Sequence, residues 1–392
     1  MLRFFTAGES HGKSLVVIVE GLPAGLEITK EEIQGELARR RLGYGRGPRM
    51  KFEQDELTLL AGIRHGRTLG SPVALEIGNT EWPKWTKEMS PDPGRPEKRL
   101  NQPRPGHADL VGMQKYGFDD ARDVLERASA RETVARTAAG CLAKALLAKL
   151  GVSVLSHVVQ LGSVSVGSAP KPVPSDLERI DESPVRCFDP SFEEAMVEEI
   201  KAAAKVGDSL GGAAEVLVYG APVGLGSHVH WDRKLDGMIA QALMSIQAIK
   251  AVSLGEGHVV SGLRGSEAHD SIRWDPETQT YLRDTLRAGG LEGGMSTGGL
   301  ISVTAWMKPL STLNRPVIKT VDVVTKEETV SFKERTDVTA VPAMGVVAEA
   351  MVALVLANEA QRKFGGDSVA EMVRNLESFN SHIHETPSAA KG

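Results

Sequence analysis

Residues 129–161 read SARETVARTAAGCLAKALLAKLGVSVLSHVVQL and place a helix pattern directly before a strand pattern. Ser129 and Glu132 have the spacing of a capping box, in which a hydroxyl and a carboxylate cap the first helical turn. Apolar residues then recur at helical spacing as far as Gly151, which suits a helix end. The β-branched run over 152–161 predicts a strand. Helix and strand in this order indicate a mixed α/β or α+β fold.

The same signals recur along the chain and predict further elements. Helices are expected to begin at Thr29, Ser191 and Asp232, the last running to about Ile249, and another close to Pro342. Strands are expected at 15–19, 73–77, 213–219 and 300–306. Residues 169–190 contain five prolines and predict a surface connection or insertion. We expect one domain over residues 1–392, without a cut at that connection.

Composition indicates a soluble globular protein. The 392 residues are 41% hydrophobic and 25% charged, and the formal net charge is −5. The longest apolar stretches fall short of the roughly 20 residues that cross a bilayer, so no membrane span is predicted. Cys141 and Cys187 have no metal-binding or disulfide spacing, which favours a reducing, cytoplasmic location.

Arginine is concentrated in three polar segments of this acidic chain. They are RRRLGYGRGPRMK at 39–51, QPRPGHAD at 102–109 and RASARETVAR at 127–136. Arg127 and Arg131 flank a predicted helix start, where added cations are unfavourable unless an anion binds. No acidic residue stands between Glu36 and Glu53 to neutralise the first segment. The three segments predict a pocket for a small, highly charged anion.

Other residues suit proton transfer or cofactor binding. His11 and His107 lie in glycine-flanked turns beside the predicted anion sites, and histidine exchanges protons near neutral pH. A glycine-rich stretch at 289–299 leads into a strand that ends near Lys308, where a phosphate or a planar cofactor could bind. Asp337 precedes a helix as a cap or as a proton-handling group. The histidine pairs at 228 and 230 and at 382 and 384 lack a third ligand nearby, so no metal site is predicted.

Two other functional classes, a P-loop enzyme and a nucleic-acid-binding protein, have partial support in the sequence. Gly12-Lys13-Ser14 ends like a phosphate-binding P-loop, but a β-branched run follows where a P-loop needs a helix. The arginine run at 39–51 could bind nucleic acid. The acidic net charge and an aromatic content of only 5% disfavour that class.

Eight separated blocks resemble the chorismate synthase family over essentially the whole chain. They are GESHGKSLVVIVEGLPAG, RRRLGYGRG, QPRPGHAD, ERASARET, SIQAIKAV, EGGMSTGG, KPLSTL and RTDVTAVPAMGVVAEAM, in that order. The resemblance implies an anti-1,4-elimination of phosphate from 5-enolpyruvylshikimate 3-phosphate, which gives chorismate, the last common step of the shikimate pathway. It also implies reduced FMN as cofactor, an α+β fold with a β-α-β sandwich core, and a cytoplasmic homotetramer that binds neither nucleic acid nor membrane. NADPH would act only indirectly, in flavin reduction, and the source of reduced flavin stays open.

The resemblance also implies roles for individual residues. His11 would protonate the departing phosphate, His107 would protonate the reduced flavin, and Asp337 would assist proton removal through the flavin. Residues implied to bind substrate or NADP are Ser10, Arg40, Arg46, Arg49, Arg104 and Arg131. Residues implied to bind FMN are Ala128, Ser129, Ala130, Gln247, Ala248, Gly293, Lys308, Pro309, Leu310, Ser311, Thr312 and Arg335.

Overall fold

The computed structural model describes residues 1–47, 53–97, 99–167, 170–332 and 336–383. Its strands are β1 (Arg3–Ala7), β2 (Ser14–Glu20), β3 (Leu57–Ala61), β4 (Ile63–Arg64), β5 (Arg67–Thr68), β6 (Val73–Gly78), β7 (Ser153–Leu161), β8 (Val164–Ser165), β9 (Gly212–Tyr219), β10 (Ile249–Leu254), β11 (Ile272–Asp275), β12 (Thr280–Arg283), β13 (Leu291–Glu292), β14 (Met295–Ser296), β15 (Ile301–Met307), β16 (Lys319–Val321) and β17 (Glu328–Val330). Its α-helices are α1 (Lys30–Arg41), α2 (Trp82–Trp85), α3 (Asp109–Tyr116), α4 (Ala121–Ala128), α5 (Thr133–Lys149), α6 (Leu177–Glu182), α7 (Glu193–Val206), α8 (Leu235–Met244), α9 (Gly265–Ala268), α10 (Val341–Phe364) and α11 (Val369–His382).

Two antiparallel sheets lie on either side of a helical layer. The first has the strand order β1-β2-β6-β3 and the second has the order β10-β15-β9-β7-β8. Helix α5 packs on β2 of the first sheet and on α10, and α10 packs on β7 and β9 of the second sheet. The expected α+β sandwich, with helices between mainly antiparallel sheets, is therefore confirmed.

Small residues let the two central helices approach closely. A Cβ atom at Gly140 of α5 would overlap the Cβ of Ala350 on α10. Both helices are buried along most of their length, and their apolar side chains belong to one hydrophobic cluster that reaches both sheets. Among the described residues, α10 alone is long and apolar enough to span a bilayer, yet 89% of its most apolar stretch is buried in this core.

The predicted strands are confirmed, whereas several helix starts differ from the prediction. The strands expected at 15–19, 73–77, 152–161, 213–219 and 300–306 correspond to β2, β6, β7, β9 and β15. The capping box of Thr29 and Glu32 is present at the start of α1. Pro342 lies in the first turn of α10, as expected. These elements were predictable because their signals are local.

The capping box predicted at Ser129 is wrong. Ser129 ends α4, since its N–H donates to the Leu125 carbonyl at 2.9 Å, and a 3₁₀ turn at 130–132 separates it from α5. The Glu132 carboxylate accepts instead from Thr6 Oγ1 at 2.7 Å and pairs with Arg136 at 2.8 Å. Ser129 Oγ still accepts from the Arg131 N–H at 3.3 Å and caps the 3₁₀ turn, but Glu132 bonds to strand β1 and does not complete the box.

The helix starts predicted at Ser191 and Asp232 are also wrong. The Asp189 carboxylate accepts from the Ser191 N–H at 3.0 Å and caps a 3₁₀ turn, after which α7 begins. Asp232 pairs with His230 at 2.6 Å, and α8 begins three residues later. Helix α8 ends at Met244 rather than near 249, because β10 begins at Ile249 and pairs with β15.

The proline-rich connection is more than a surface link. It contains α6, and Arg186 just after that helix is fully buried. Arg186 belongs to a core ion network of three cations and three carboxylates that joins this connection to α1, α5 and α10. The members are Arg39, Lys144, Arg186, Glu36, Asp181 and Glu349.

Glu349 is the centre of the core ion network and is fully buried on α10. Its two oxygens lie 2.8 Å from Arg39 Nη1, 2.8 Å from Lys144 Nζ and 3.2 Å from Arg186 Nη2. Ser156 Oγ of β7 donates to the same carboxylate at 2.7 Å. Burial opposes ionisation, but these cations hold the pKa of Glu349 well below its ordinary value.

Candidate active site

A cavity of about 850 Å³ opens where loops from both sheets meet the helical layer. The turn between β1 and β2 contributes His11, the end of α1 contributes Arg40, and the loop before α3 contributes His107. The residues after β15 and those before α10 complete the wall. Sequence-distant polar loops therefore meet at one site.

Most residues that the resemblance marked lie in this cavity wall. Those present are Ser10, His11, Arg40, Arg46, Arg104, His107, Ala128, Ser129, Ala130, Arg131, Gln247, Ala248, Lys308, Pro309, Leu310, Ser311, Thr312 and Asp337. Arg49 and Arg335 lie outside the described residues.

Gly293 is described but does not line the cavity. The glycine-rich stretch folds into the β13–β14 hairpin, in which Gly293 and Gly294 form the turn with φ angles of 58° and 82°. The Gly294 carbonyl accepts from the Leu235 N–H of α8 at 2.8 Å. The glycines at this position are thus required by a tight turn that packs on α8.

Arg40 and Arg46 give the cavity its unbalanced positive charge. Arg40 is 5% exposed and donates to Thr133 Oγ1 and to the Ala130 carbonyl, both at 3.0 Å. Within the described ranges it forms no ion pair, and its Nη1 has no hydrogen-bond partner. Burial, followed by the charges of Arg46 and Arg131, lowers the pKa of Arg40 to about 9, so it remains charged at neutral pH.

The positive charge of Arg46 is only partly neutralised. Its Nε lies 3.2 Å from Asp337 Oδ2 without hydrogen-bond geometry, and its buried Nη1 has no partner among the described residues. Asp337 also accepts from the Gly47 N–H at 2.5 Å. Since Asp337 pairs with Arg46 and Arg40 has no ion pair among the described residues, this wall can neutralise an anion that enters the cavity.

Other arginines of the three segments already have acidic partners. Arg131 donates to Asp55, lies 3.5 Å from Glu53, and donates to Asn79 Oδ1 at 2.8 Å. Arg41 lies 3.2 Å from the same Asp55. Within the first segment, Arg39 and Arg41 therefore find acids elsewhere in the chain, whereas Arg40 has no ion pair among the described residues and Arg46 has only Asp337.

Arg127 does not flank the start of the long helix as predicted. It lies in the last turn of α4, with a side chain 46% exposed. Its Nη2 donates to the Thr6 carbonyl at 2.9 Å and its Nη1 to the Gly8 carbonyl at 3.2 Å. The side chain ties α4 to the end of β1 and is not part of the cavity wall.

His11 is fixed by a buried carboxylate. Its Nδ1 lies 2.8 Å from Glu126 Oε1, and its backbone N–H donates to Glu126 Oε2 at 2.8 Å. The imidazole stacks on Trp85, with ring centroids 4.0 Å apart. Because Nδ1 is engaged, Nε2 is the ring nitrogen left for a ligand in the cavity.

His107 has a carboxylate partner of its own. Its Nδ1 forms a short contact with Asp109, which is fully buried at the start of α3. Arg104 donates from Nε to Asp109 at 2.8 Å and from Nη1 to Thr312 Oγ1 at 3.0 Å. Burial opposes ionisation of Asp109, but its contacts with His107 and Arg104 hold the pKa of this carboxyl far below its ordinary value.

The opposite part of the wall combines apolar groups with irregular backbone. Ala343, Met344 and Val347 present an apolar face of α10 to the cavity. Ala248 has a φ of 68°, and its carbonyl accepts from the Lys308 N–H at 3.0 Å. An apolar wall with a few polar backbone groups is typical of sites for small molecules and cofactors.

Sequence reasoning assigned no role to Glu126, Asp109, Trp85 or the apolar face of α10. Glu126 shares the buried face of α4 with Ala121 and Leu125. A carboxylate within an apolar helical stripe signals a buried partner, and this signal could have identified it. The other contacts depend on the tertiary structure.

The P-loop alternative fails on local structure. Ser14 begins β2 rather than a helix, as the β-branched run predicted. A P-loop relies on helix N–H groups after the serine, and this turn has none to offer.

Comparisons with known proteins agree along the whole chain. The family model described as chorismate synthase matches residues 2–360. A chorismate synthase of Micrococcus luteus is 58% identical over 99% of this chain and 96% of its own length. One of Thermobifida fusca is 59% identical over 97% of this chain and 98% of its own length.

A solved structure is similar as well. It is described as a crystal structure of chorismate synthase, with a TM-score of 0.79, 38% identity, and coverage of 98% of this chain and 99% of that one. The chain therefore belongs to the chorismate synthase family, carbon–oxygen lyases that eliminate phosphate from 5-enolpyruvylshikimate 3-phosphate to form chorismate.

Proposed function

We propose that the cavity binds 5-enolpyruvylshikimate 3-phosphate beside reduced FMN and that its own residues neutralise the phosphate and move the protons. The observation that carries this proposal is the pair of buried guanidinium groups, Arg40 and Arg46, which face the cavity without a full complement of acids. The substrate has one phosphate and two carboxylates. Each charge-assisted hydrogen bond to it would contribute roughly 1.5–3 kcal/mol.

The cavity wall suits a flavin as well as the substrate. A volume of about 850 Å³ lies in the upper range for ligand sites. Gln247 Oε1 is buried beside the cavity without a hydrogen-bond partner among the described residues, so it can accept from a ring N–H. We assign the flavin to the strip formed by residues 128–130, 247–248 and 308–312. When bound, reduced FMN supplies electron density to the allylic system.

We assign the proton transfers to the two histidines and Asp337. His11 donates from Nε2 to the phosphate oxygen as the carbon–oxygen bond breaks and its electron pair leaves with the phosphate. Asp337 assists the removal of the proton that leaves the substrate ring. His107, held by Asp109 and Arg104, keeps a proton next to the flavin strip. One C–O bond and one C–H bond break, the C–O electron pair leaves with the phosphate, and the C–H electron pair forms a new C=C bond of the conjugated diene, so there is no net oxidation.

The decisive experiment is an anaerobic incubation of the protein with reduced FMN and the substrate. Phosphate and chorismate should appear together in equal amounts, and oxidised FMN should support neither. Release of phosphate without chorismate, or product formation without flavin, would contradict the proposal.

We also propose a cytoplasmic homotetramer that receives reduced flavin from outside, with NADPH acting only through that supply. Phe5 and Ile18 support self-association, because they pair across β1 and β2 on the outer face of the first sheet and are 63% and 42% exposed. Sedimentation of the purified protein tests the tetramer: a monomer at micromolar concentration would argue against it.

A further inference from the structure

We propose that Glu126 is a positioning residue for His11, an inference that rests on the proposed role of His11 as proton donor to the departing phosphate. Three contacts join Glu126 to the turn between β1 and β2. Its carboxylate meets His11 at Nδ1 and at the backbone N–H, each at 2.8 Å. Its carbonyl accepts from the Ser10 N–H at 2.9 Å. These contacts set the orientation of the imidazole relative to α4.

The contact with Nδ1 determines which nitrogen of His11 performs the transfer. An ionised carboxylate can only accept, so Nδ1 carries a proton and Nε2 is directed at the cavity. In the proposed transfer, Nε2 carries the proton to be donated. After transfer of that proton to the phosphate oxygen, His11 is neutral and its Nδ1–H still faces Glu126.

Glu126 remains ionised in this position. It is 4% exposed, and burial raises its pKa, but the hydrogen bonds from His11 and the charge of Arg122 bring the pKa below its ordinary value. Arg122 Nη1 donates to Glu126 Oε1 at 3.0 Å, the same oxygen that faces His11 Nδ1. Arg122 and His11 therefore share one carboxylate oxygen.

Other charged groups near His11 have weaker or different connections. Glu88 lies 3.9 Å from Arg122 Nε, so the positive charge of Arg122 is shared between Glu88 and Glu126. Glu9 belongs to the same turn as His11, and its carboxylate packs against Gly12. Glu81 and Arg131 line the same cavity. Glu126 contacts the imidazole directly, through the hydrogen bond at Nδ1.

The test measures the protonation of His11 without substrate or flavin. Diethyl pyrocarbonate attacks neutral imidazole, so the rate of His11 modification, followed by peptide mass spectrometry against pH, gives a midpoint for that histidine. In the full-length protein, Glu126→Gln should lower this midpoint by about one to three pH units, because a neutral amide no longer stabilises the imidazolium. An unchanged midpoint in the folded variant would overturn the inference.

Two further variants serve as a control and as an independent test of the inference. Glu359 resembles Glu126, since it is 4% exposed and accepts from one backbone N–H and from an arginine of its own helix, but its hydrogen bonds among the described residues go to Gly226 and Arg362 and not to His11. Glu359→Gln should leave the His11 midpoint unchanged. Arg122→Met removes the second cation that contacts the Glu126 carboxylate. The pH midpoint of His11 modification should therefore rise. If Glu126→Gln does not fold, an unmoved midpoint in Arg122→Met overturns the inference instead.

Turnover separates this inference from the proposed function. If His11 donates its proton from the imidazolium form, the alkaline limb of kcat should move to lower pH in Glu126→Gln by the same amount as the modification midpoint. A shift in the midpoint without a shift in kcat would support the positioning by Glu126 and reject His11 as the proton donor.

Discussion

Arg39 and Arg40 are consecutive residues of α1, yet they belong to two regions with opposite charge balance. Arg39 lies in the core ion network, where burial is outweighed by Glu349 and Glu36, and its pKa is held above the ordinary value. Arg40 lies on the cavity wall, where burial and two neighbouring arginines lower its pKa to about 9. The buried charge of Arg39 is compensated in the core, whereas that of Arg40 has no ion pair among the described residues, so an anionic ligand can supply one.

The largest effect is expected from breaking the core ion network at its centre. Glu349→Ala leaves Arg39, Lys144 and Arg186 without their shared carboxylate and should lower the free energy of unfolding by about 3–5 kcal/mol. Urea denaturation measures this change. Glu20→Gln is the control, because its pair with Arg3 is exposed, and it should cost no more than about 1 kcal/mol. Equal effects of the two changes would show that the network contributes little.

A smaller effect, of a different kind, is expected at the cavity wall. Arg40→Met removes a buried charge without an acidic partner, so the free energy of unfolding should stay the same or rise. Substrate binding should weaken by about 1.5–3 kcal/mol, since one charge-assisted contact is lost. Steady-state kinetics and urea denaturation of the same preparation give both values. A large loss of stability would place Arg40 with Arg39 as a structural residue.

Arg131 shares one feature with Arg40 and one with Arg39: it lines the cavity, and it has acidic partners. Arg131→Met should weaken substrate binding partly through repulsion from Asp55, which loses a cation. Adding Asp55→Asn should therefore restore part of the affinity, with a coupling of about 0.5–3 kcal/mol in a double-mutant cycle. Strictly additive effects would mean that Arg131 contacts the substrate independently of Asp55.

Local signals predicted much of the fold but not all of its boundaries. The strand at 15–19 and the cap of Thr29 were correct because neighbouring residues determine them. The helix starts at Ser129 and Ser191 were wrong because Glu132 bonds to Thr6 on another strand and because Asp189 caps first. A polar side chain that finds a tertiary partner no longer acts as a local cap.

The site was predictable as a set of residues but not as an arrangement of charges. His11, His107 and Arg40 were identified from their segments, and they lie in one cavity. Glu126, which holds His11, stands 115 residues away in the chain, and no spacing rule connects the two.

The sequence by itself determined the alternating strands, the amphipathic helices and the family, because these depend on local periodicity and on short blocks. The tertiary structure decided which arginines are neutralised. Arg39 contacts Asp181 and Glu349, which are 142 and 310 residues distant, while Arg40 at the next position of the same helix forms no ion pair with any described residue. Coulomb energy depends on distance in space and on burial, and neither can be read from the order of residues.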